Sequence, residues 1–340
     1  MQDTGLPLAE LVRKYPQVEV FLRSLNMPNL NYRYSLEKNL SSRAPAEFLE
    51  ASMGREEMLS TLQLLCDRLA ESAAHREKRL QSLTILGGHD KDGKQEDLAL
   101  TLVPGDTVTL VGPTGSGKSR LLEDIESLAE GDTPSGRRIL LDGAPPDPAL
   151  RWQGDNRMVA QLSQNMNFVM DLSVQNFLTL HQECRNRQSI NIADVISAAN
   201  ALAGEAILPE MSLTQLSGGQ SRALMIADTA LLSAAPVVLI DEIENAGIDR
   251  KQALSLLAGE DKIVLISTHD PLLALLGKKR LVIANGAVSQ ILETSPAEQK
   301  NLAILEQYDE KITGLRQLLR KGGRVDMDME AYLWEKDHME

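Results

Sequence analysis

The sequence predicts an α/β fold in which helices cover both faces of a mainly parallel β-sheet. Three short apolar runs have the character of buried strands, namely Val108–Val111, Val237–Ile240 and Ile263–Ile266. Helical segments separate these runs, and strands that alternate with helices are typical of a parallel sheet. At 340 residues the chain is longer than one typical domain. We therefore expect one such domain with helical segments at both ends.

The first 80 residues are predicted to be helical. Apolar side chains recur there at helical spacing in three stripes, and the third lies on a segment from Glu56 to about Arg79. The stripes are Leu8, Leu11, Val12 and Tyr15; Val18, Phe21, Leu22 and Leu25; and Met58, Leu62, Leu65 and Leu69. Pro16 should end the first helix near Lys14 or Tyr15. Such stripes are typical of packing surfaces, so we expect them to pack rather than to bind a cofactor.

Short apolar runs replace the helical stripes from Leu83 onward. Asp92–Gly93 predicts a hairpin turn between polar residues. After about Glu293 another helix is expected, whose apolar stripe and few charged contacts suggest docking onto the domain or onto a partner. This stripe consists of Leu305, Tyr308, Ile312, Leu315 and Leu319. Gly322–Gly323 should end the helix. The acidic tail from Asp326 is predicted to be solvated, with Tyr332 and Trp334 as its docking point.

Composition and charge narrow the classes of partner. The chain has 48 acidic and 35 basic side chains, and its net charge of -13 disfavours duplex nucleic acid because the phosphate backbone would be repelled. Only Cys66 and Cys184 occur, without paired spacing, so we expect buried thiols in a reducing compartment. The first residues show no basic region before an apolar core, and no apolar run approaches ~18 residues. We expect a soluble, cytoplasmic protein that does not insert into a membrane.

A glycine-rich segment that follows the predicted strand Val108–Val111 is typical of a phosphate-binding loop. It comprises Gly112, Pro113, Thr114, Gly115, Ser116, Gly117, Lys118 and Ser119, with Arg120 next. A strand that turns through glycines into a helix exposes backbone N–H groups to an anion, and the helix dipole adds to the attraction. Lys118 is expected to reach the β- and γ-phosphates of ATP, and the Ser119 hydroxyl to bind Mg²⁺.

Two carboxylates follow the predicted strand Val237–Ile240. Asp241 closes an apolar run, where a carboxylate is costly unless a cation compensates it, so we expect it to bind Mg²⁺ through water. Glu242 should orient the attacking water or accept its proton. The carboxylates and the phosphate-binding loop together predict hydrolysis of a nucleotide phosphate.

A pentapeptide later in the chain, Leu216-Ser217-Gly218-Gly219-Gln220, adds a rarer pattern. Together with the phosphate-binding loop, Asp241–Glu242 and Ser267-Thr268-His269-Asp270 in this order, it resembles the ATP-binding cassette (ABC) ATPases from about residue 81 to 295. The resemblance implies a P-loop NTPase fold with a helical subdomain at about 165–215. The expected domains are an N-terminal helical domain at 1–80, the ABC ATPase domain at 81–295 and a C-terminal helical extension at 296–340.

The resemblance also implies roles for further residues. The segment Ser217–Gln220 would form a second anion site for the γ-phosphate held by the opposite subunit, which implies an ATP-dependent, head-to-tail homodimer. Gln164, rather than Gln161, matches the family glutamine that senses Mg²⁺ and water. His269 resembles the switch histidine that contacts the γ-phosphate, and its position after a buried strand favours that role over a structural one.

The chain departs from the transport members of the family in two places. The residues after Glu242 lack the usual proline and include one extra residue, which puts the family's D-loop at Ala246–Asp249. This segment is more similar to that of soluble, non-transport ATPases. The aromatic residue that usually stacks on adenine is missing upstream of the phosphate-binding loop. His89 is the only ring nearby, so adenine would stack on His89, on an appended segment or on nothing.

The sequence favours a cytoplasmic, homodimeric ABC-type Mg²⁺-ATPase that couples hydrolysis to conformational change in a protein partner. The partner would bind the N-terminal helical domain and the helical subdomain. One alternative is the ATPase subunit of a transporter whose membrane part is a separate chain. Another is an ATP-switched module of a genome-maintenance or metallocentre-assembly machine. The segment Leu6–Met27 resembles small helical domains of unknown function found on redox and iron-sulfur proteins, without the cysteines that usually follow them.

Overall fold

The computed structural model describes most of the chain. The described residues are 5–15, 17–25, 29–41, 54–77, 80–152, 158–163, 168, 170–185, 187, 189–242, 248–258 and 261–334. The chain divides into two compact units, Met1–Arg79 and Leu80–Glu340.

The first unit is helical and has its own core. Its helices are α1 (Leu8–Lys14), α2 (Gln17–Ser24), α3 (Leu36–Ser41) and α4 (Arg55–Glu77). The helix end expected before Pro16 is confirmed, because α1 stops at Lys14. The core contains the predicted stripes, with Leu8, Leu11, Tyr15, Val18, Leu22, Leu25, Met58 and Leu62 all buried beside Leu36, Leu40 and Cys66. These stripes therefore pack against one another.

The second unit contains all nine strands of the described residues. They are β1 (Leu83–Leu86), β2 (Ala99–Leu102), β3 (Thr107–Val111), β4 (Arg138–Leu141), β5 (Val159–Leu162), β6 (Val237–Asp241), β7 (Ile263–Ser267), β8 (Lys279–Ala284) and β9 (Ala287–Glu293). The helices are α5 (Lys118–Glu126), α6 (Pro148–Trp152), α7 (Val174–Cys184), α8 (Ile192–Leu202), α9 (Gly218–Leu231), α10 (Arg250–Leu257), α11 (Pro271–Leu276), α12 (Pro296–Arg320) and α13 (Met329–Trp334). The predicted α/β class and the three predicted buried strands are confirmed.

The strands form two sheets. The larger has the order β5-β6-β7-β3-β8-β9, and every neighbouring pair is parallel except β8 and β9. The smaller sheet is antiparallel, with the order β2-β1-β4, and was not predicted. The hairpin turn predicted at Asp92–Gly93 is confirmed, since Asp90 N–H donates to the Lys94 carbonyl across it.

The central strands of the larger sheet are buried on both faces. Along β6, Val237 and Leu239 pack into one apolar cluster with Leu122 of α5, while Val238 and Ile240 pack into another with helices α7 to α11. Successive side chains of a strand point to opposite faces, so a continuous apolar run buries both. This burial fixes the strands in register and brings their carboxyl ends to one edge of the sheet.

The C-terminal helix α12 is held to the second unit by charged contacts, which the sequence analysis expected to be few. Three ion pairs attach it: Arg280 with Glu298 at 2.6 Å, Lys251 with Glu306 at 3.1 Å, and Arg250 with Asp309 at 2.9 Å. In the acidic tail, the Tyr332 hydroxyl of α13 donates to the Lys311 carbonyl of α12 at 3.0 Å, which confirms Tyr332 as a docking point.

Two features bear on the expected surroundings of the protein. No helix within the described ranges is long and apolar enough to cross a lipid bilayer. Cys66 lies in the core of the first unit, as expected for an apolar thiol. Cys184 is exposed at the end of α7, so the expectation of a buried thiol is wrong there.

Lys262, just before β7, is a partly buried cation. Its Nζ donates to the carbonyls of Thr229 and Ala230 near the end of α9, at 3.2 and 3.0 Å. Burial lowers its pKa to about 8, and the charges of Arg187 and Arg185 add to this effect. The unfolded lysine keeps its proton to about pH 10.4, so between these pH values the unfolded state holds more protons than the folded state. The free energy of unfolding should therefore rise with pH in this window.

We predict that Lys262→Met removes this pH dependence. The wild-type free energy of unfolding should gain up to about 1.4 kcal/mol for each pH unit above 8 from this lysine. Urea denaturation at pH 7.5, 8.5 and 9.5 measures the slope for both proteins. Lys300→Met, at an exposed position on α12, should keep the wild-type slope. Equal slopes for wild type and Lys262→Met would contradict the prediction.

Candidate nucleotide-binding site

The candidate site lies where three neighbouring parallel strands end. β7 lies between β6 and β3, so the segments that follow these three strands meet at one edge of the sheet. Ligands of open α/β sheets bind in the crevice outside the carboxyl ends of the strands. The segments concerned begin at Gly112, Glu242 and Thr268, which are all residues of the predicted motifs or next to them.

The phosphate-binding loop turns sharply from β3 into α5. Gly115 has a φ of 75° and Gly117 a φ of 110°, left-handed values that side chains disfavour. α5 then begins at Lys118, so its first N–H groups face the loop. Lys118 is 6% exposed, and its Nζ donates to the carbonyls of Gly112 and Pro113 at 2.8 and 3.3 Å. The loop thus wraps around the cation that the sequence assigns to phosphate binding.

The interior of this loop fits an anion. The Ser116 Oγ is buried and has no hydrogen-bond partner among the described residues. A side chain at Gly112 would place its Cβ 2.3 Å from the Ile283 carbonyl oxygen and 2.8 Å from Ser116 Oγ. The loop is therefore closed on the side of Ile283, and an anion such as a phosphate would enter from the other side.

Two oxygen atoms beside the loop fit a hard cation. The Ser119 hydroxyl lies 3.5 Å from a carboxylate oxygen of Asp241, the last residue of β6. Mg²⁺ prefers oxygen ligands and usually takes few from the protein, with waters and substrate phosphates completing its shell. The described residues contain no cluster of three or more His, Cys, Asp or Glu that could hold a metal. Ser119 and Asp241 would hold Mg²⁺ in this way.

Glu242 has a strained backbone and faces the same site. Its φ is 50°, a left-handed value that is uncommon for a glutamate, and its N–H donates to the Ser267 carbonyl of β7 at 3.0 Å. The carboxylate lies 3.3 Å from His269 Nε2, and that nitrogen lies 3.3 Å from Lys118 Nζ. Strain of this kind persists where the surrounding structure imposes it, and it clusters at functional sites.

A single pocket combines residues from these segments with one that the sequence analysis missed. It is lined by Lys91, Thr114, Gly115, Gly117, Lys118, Ser119, Arg120, Glu242 and His269. Lys91 follows the strand-like bridge at His89 and donates from Nζ to the Gly115 carbonyl at 2.6 Å. The hairpin turn at Asp92–Gly93 was the available signal, but a turn does not reveal which distant loop it contacts. Arg120 also pairs with Glu123 at 2.9 Å.

His89, one of the alternatives for stacking on adenine, lies beside Gly136. Its ring carbon Cδ2 is 3.3 Å from where a Gly136 Cβ would be, and the His89 backbone N–H donates to the Ser135 carbonyl at 2.8 Å. It is not among the described residues that line the pocket. Its role toward adenine stays a prediction.

The segment Ser217–Gln220 opens helix α9 away from this pocket. Ser217 Oγ accepts from Gln220 N–H at 3.3 Å, and the Gln220 side chain accepts from Ser217 N–H at 2.9 Å. Gln220 is buried and also donates to the Ala206 carbonyl at 3.0 Å, so its side chain serves its own helix. Among the residues that the structure describes, none of these four lines the pocket. The exposed part of the segment is the helix start at Ser217 and Gly218.

Some predicted residues lie outside the described part of the chain. Gln164 is one, and Ala246 and Gly247 of the expected D-loop are others. The end of that expected loop is described, and Asp249 accepts from the Gln252 N–H at 3.0 Å to begin α10.

Comparison with known proteins places these motifs in a family. The profile of the ABC transporter family matches residues 95–245. An uncharacterised ABC transporter ATP-binding protein of Methanocaldococcus jannaschii is 49% identical over 248 residues, which are 72% of this chain and 95% of that protein. The cobalamin import ATP-binding protein of Halobacterium salinarum is 29% identical over 57% of this chain and 50% of its own length.

Among solved structures, cbiO1 from Clostridium perfringens, part of an ABC transporter complex, matches with a TM-score of 0.49 and 19% identity. That match covers 71% of this chain and all of the other. The identity to the M. jannaschii protein, over nearly its whole length, and the family profile across the phosphate-binding loop and Asp241–Glu242 agree with each other. The chain belongs to the ATP-binding cassette family and is an ATP hydrolase that binds ATP and Mg²⁺.

Proposed function

We propose that this ATPase works as a homodimer that closes on two ATP molecules and couples their hydrolysis to a conformational change in a partner protein. The observation that carries the proposal is the pocket itself. Lys118, Glu242 and His269 meet in it, but Ser217 and Gln220 do not. One chain thus holds a phosphate-binding half and, elsewhere, a helix start that can complete the pocket of a second copy.

The residues of the pocket divide the work of hydrolysis. The loop N–H groups and Lys118 would bind the phosphates, and Ser119 and Asp241 would hold Mg²⁺. Mg²⁺, when bound, supplies charge stabilisation to the phosphate oxygens. Glu242 would orient the attacking water or accept its proton, and its carboxylate lies 3.3 Å from His269 Nε2. His269 would contact the γ-phosphate from the same side.

The start of α9 supplies what the pocket lacks. A helix N-terminus offers unpaired N–H groups and a positive dipole end to an anion. The capping pair of Ser217 and Gln220 fixes this helix start, at which Ser217 and Gly218 are exposed. We infer that it binds the γ-phosphate held by the partner subunit, so that ATP itself joins the two chains.

The partner protein has two candidate classes. The helical first unit and helices α7 and α8 offer surfaces for a protein client, and four large apolar side chains of the first unit, Val20, Tyr32, Tyr34 and Leu64, are exposed. A membrane-spanning transport subunit is the second candidate, and the names of the relatives favour it, since both are called transporter or import ATP-binding proteins. Co-purification of the chain with a membrane protein would support the second candidate.

A cytoplasmic location is part of the proposal. Both cysteines are free, and thiols persist in a reducing compartment. The net charge of -13 disfavours nucleic acid as the partner.

We predict that Glu242→Gln keeps ATP binding and loses turnover by about 10² or more, because general-base loss removes that much while the phosphate contacts stay. A coupled ATPase assay and calorimetric titration with ATP measure the two quantities. Lys118→Ala should instead lose binding. Glu293→Gln, at the exposed end of β9, makes the same chemical change away from the site and should leave both quantities at wild type. A wild-type rate in Glu242→Gln would show that Glu242 is not the catalytic base.

We predict that ATP converts Glu242→Gln from monomer to dimer and that adding Ser217→Arg prevents this, because an arginine at the helix start fills the shared site. Light scattering with and without ATP measures the mass. Ser197→Arg, at an exposed position of α8, is the matched control and should still dimerise. An ATP-independent mass in Glu242→Gln, or dimerisation of the Ser217→Arg form, contradicts the composite site.

We predict that removing residues 1–78 leaves a protein that binds and hydrolyses ATP but no longer retains its partner, because the second unit has its own core and site. Capture of partners by the Glu242→Gln chain in ATP, with and without this truncation, measures retention. Removing the tail after Gly322 should have a milder effect. If the truncated chain retains the same partners, the first unit is not the docking domain.

A further inference from the structure

Behind the phosphate-binding loop lies a fully buried cluster of three charged side chains. Arg137 donates from Nε to Glu96 at 2.7 Å, from Nη2 to the other Glu96 oxygen at 3.0 Å, and from Nη1 to Asp124 at 3.0 Å. All three side chains are 0% exposed. None of the three lines the nucleotide pocket, and none belongs to a motif of the sequence analysis.

Arg137 holds the helix that carries the nucleotide-binding lysine. Asp124 lies on α5, which begins at Lys118 directly after the loop. A charge-assisted hydrogen bond to a buried carboxylate is among the strongest and most directional in proteins. The ion pair with Asp124 therefore fixes α5 from its interior side.

Arg137 also holds the turn that presses on the loop from the other side. Its Nη2 donates to the Gly286 carbonyl at 2.6 Å, in the tight turn between β8 and β9. The Gly286 N–H in turn donates to the Ser116 carbonyl of the loop at 2.7 Å. A side chain at Gly117 would place its Cβ 2.8 Å from the Gly286 Cα, so the two backbones are in direct contact. One guanidinium thus connects α5 and the turn, and the loop lies between them.

Glu96 fixes the far end of the same turn. Besides Arg137, it accepts from the Val288 N–H at 2.6 Å, and Val288 is the second residue of β9. The other side of the turn is attached to the loop by Lys91, whose N–H donates to the Asn285 carbonyl at 2.9 Å. The turn is therefore held at Asn285, Gly286 and Val288, all through polar groups.

Stability alone does not account for this cluster. Replacing a buried ion pair or triad by apolar residues of similar volume is often neutral or stabilising, since desolvation offsets the attraction. The charged cluster makes hydrogen bonds that hold their partners in fixed directions, which apolar residues cannot do. The phosphate-binding loop needs this directional support, because Gly115 and Gly117 hold left-handed conformations that an unsupported loop would populate only in part.

We propose that Arg137 is a positioning residue for nucleotide binding, acting through the Gly286 turn and through Asp124 to hold the phosphate-binding loop in its binding conformation. The inference rests on the proposed role of the loop in binding ATP phosphates. When a loop binds its ligand in only one conformation, the apparent affinity is reduced to the fraction of time that the loop spends in that conformation. Weakening Arg137 therefore weakens nucleotide binding without touching a group that contacts nucleotide.

The test uses two variants of the full chain that disturb the two ends of this connection. Arg137→Lys keeps the charge but cannot contact Glu96, Asp124 and Gly286 together. Gly286→Ala leaves the buried triad intact and strains the turn, because the φ of Gly286 is 90° and the added Cβ would lie 3.0 Å from Lys91 Cγ. We expect each to raise the Kd of both ATP and ADP by about tenfold, the effect of losing one charge-assisted contact, with kcat at saturating ATP nearly unchanged.

Matched controls separate positioning from general destabilisation. Gly143→Ala introduces the same strain at a φ of 77° in a turn where an added Cβ meets nothing within 4 Å. Arg280→Lys weakens the pair with Glu298 on α12. Both should bind ATP and ADP with the wild-type Kd. A purely structural role for Arg137 would lower the melting temperature and the active fraction, and so kcat per chain, without changing KM.

Lys118→Ala in the same titrations distinguishes a failure of the inference about Arg137 from a failure of the proposed function of the loop. If Lys118→Ala loses ATP while folded Arg137→Lys and Gly286→Ala keep the wild-type Kd, the inference about Arg137 is wrong and the proposed function stands. If Lys118→Ala also binds with the wild-type Kd, the proposed function of the loop is wrong. Should Arg137→Lys fail to fold, Gly286→Ala decides alone. An equal rise in Kd for Gly143→Ala would overturn the inference as well.

Discussion

The site depends on the register of one buried strand. In β7, Ser267 pairs with Leu110 of β3 on one side and with Asp241 of β6 on the other. The segments that follow inherit this alignment: Glu242 N–H donates to the Ser267 carbonyl, and Thr268 N–H donates to the Leu110 carbonyl. Since both faces of these central strands are buried, a slip of one residue would place every side chain of a strand on the wrong face. Packing of the core thus sets the distances among Asp241, Glu242 and the phosphate-binding loop.

The same edge concentrates conformations that the chain would avoid elsewhere. Gly115 and Gly117 of the loop and Glu242 beside it all have positive φ values. Such values are costly for Glu242 and open to glycine, and all three residues are held by contacts from outside their own segments. The loop glycines are covered by Lys91 and Gly286, and Glu242 is held by β7. Binding geometry in this protein is therefore a property of several segments acting on one another, which explains why a buried cluster that never meets nucleotide can matter for affinity.

The sequence predicted the fold class, the three central strands and the local motifs because each of them depends on a pattern of residues that are close together in the chain. Apolar runs mark the buried strands, and the spacing of glycines with Lys118 marks the loop. What it missed involves pairing across long separations. Glu96 and Arg137 are 41 residues apart, and nothing near either one indicates the other. The antiparallel sheet and the contact of Lys91 with Gly115 were missed for the same reason. The expectation for Gln164 lies outside the described residues, and the roles of the other site residues remain predictions.

The central claim is that each ATP site is built from two chains, the phosphate-binding half of one and the start of α9 of the other. Mixing Lys118→Ala chains with Ser217→Arg chains tests it most directly. In a dimer of either variant alone, both sites are damaged. A mixed dimer contains one intact site. In its other site, the arginine introduced at position 217 faces the loop of the Lys118→Ala chain, which holds no nucleotide. The account predicts ATP hydrolysis by the mixture well above the sum of the two separate proteins. A mixture no more active than that sum would contradict it.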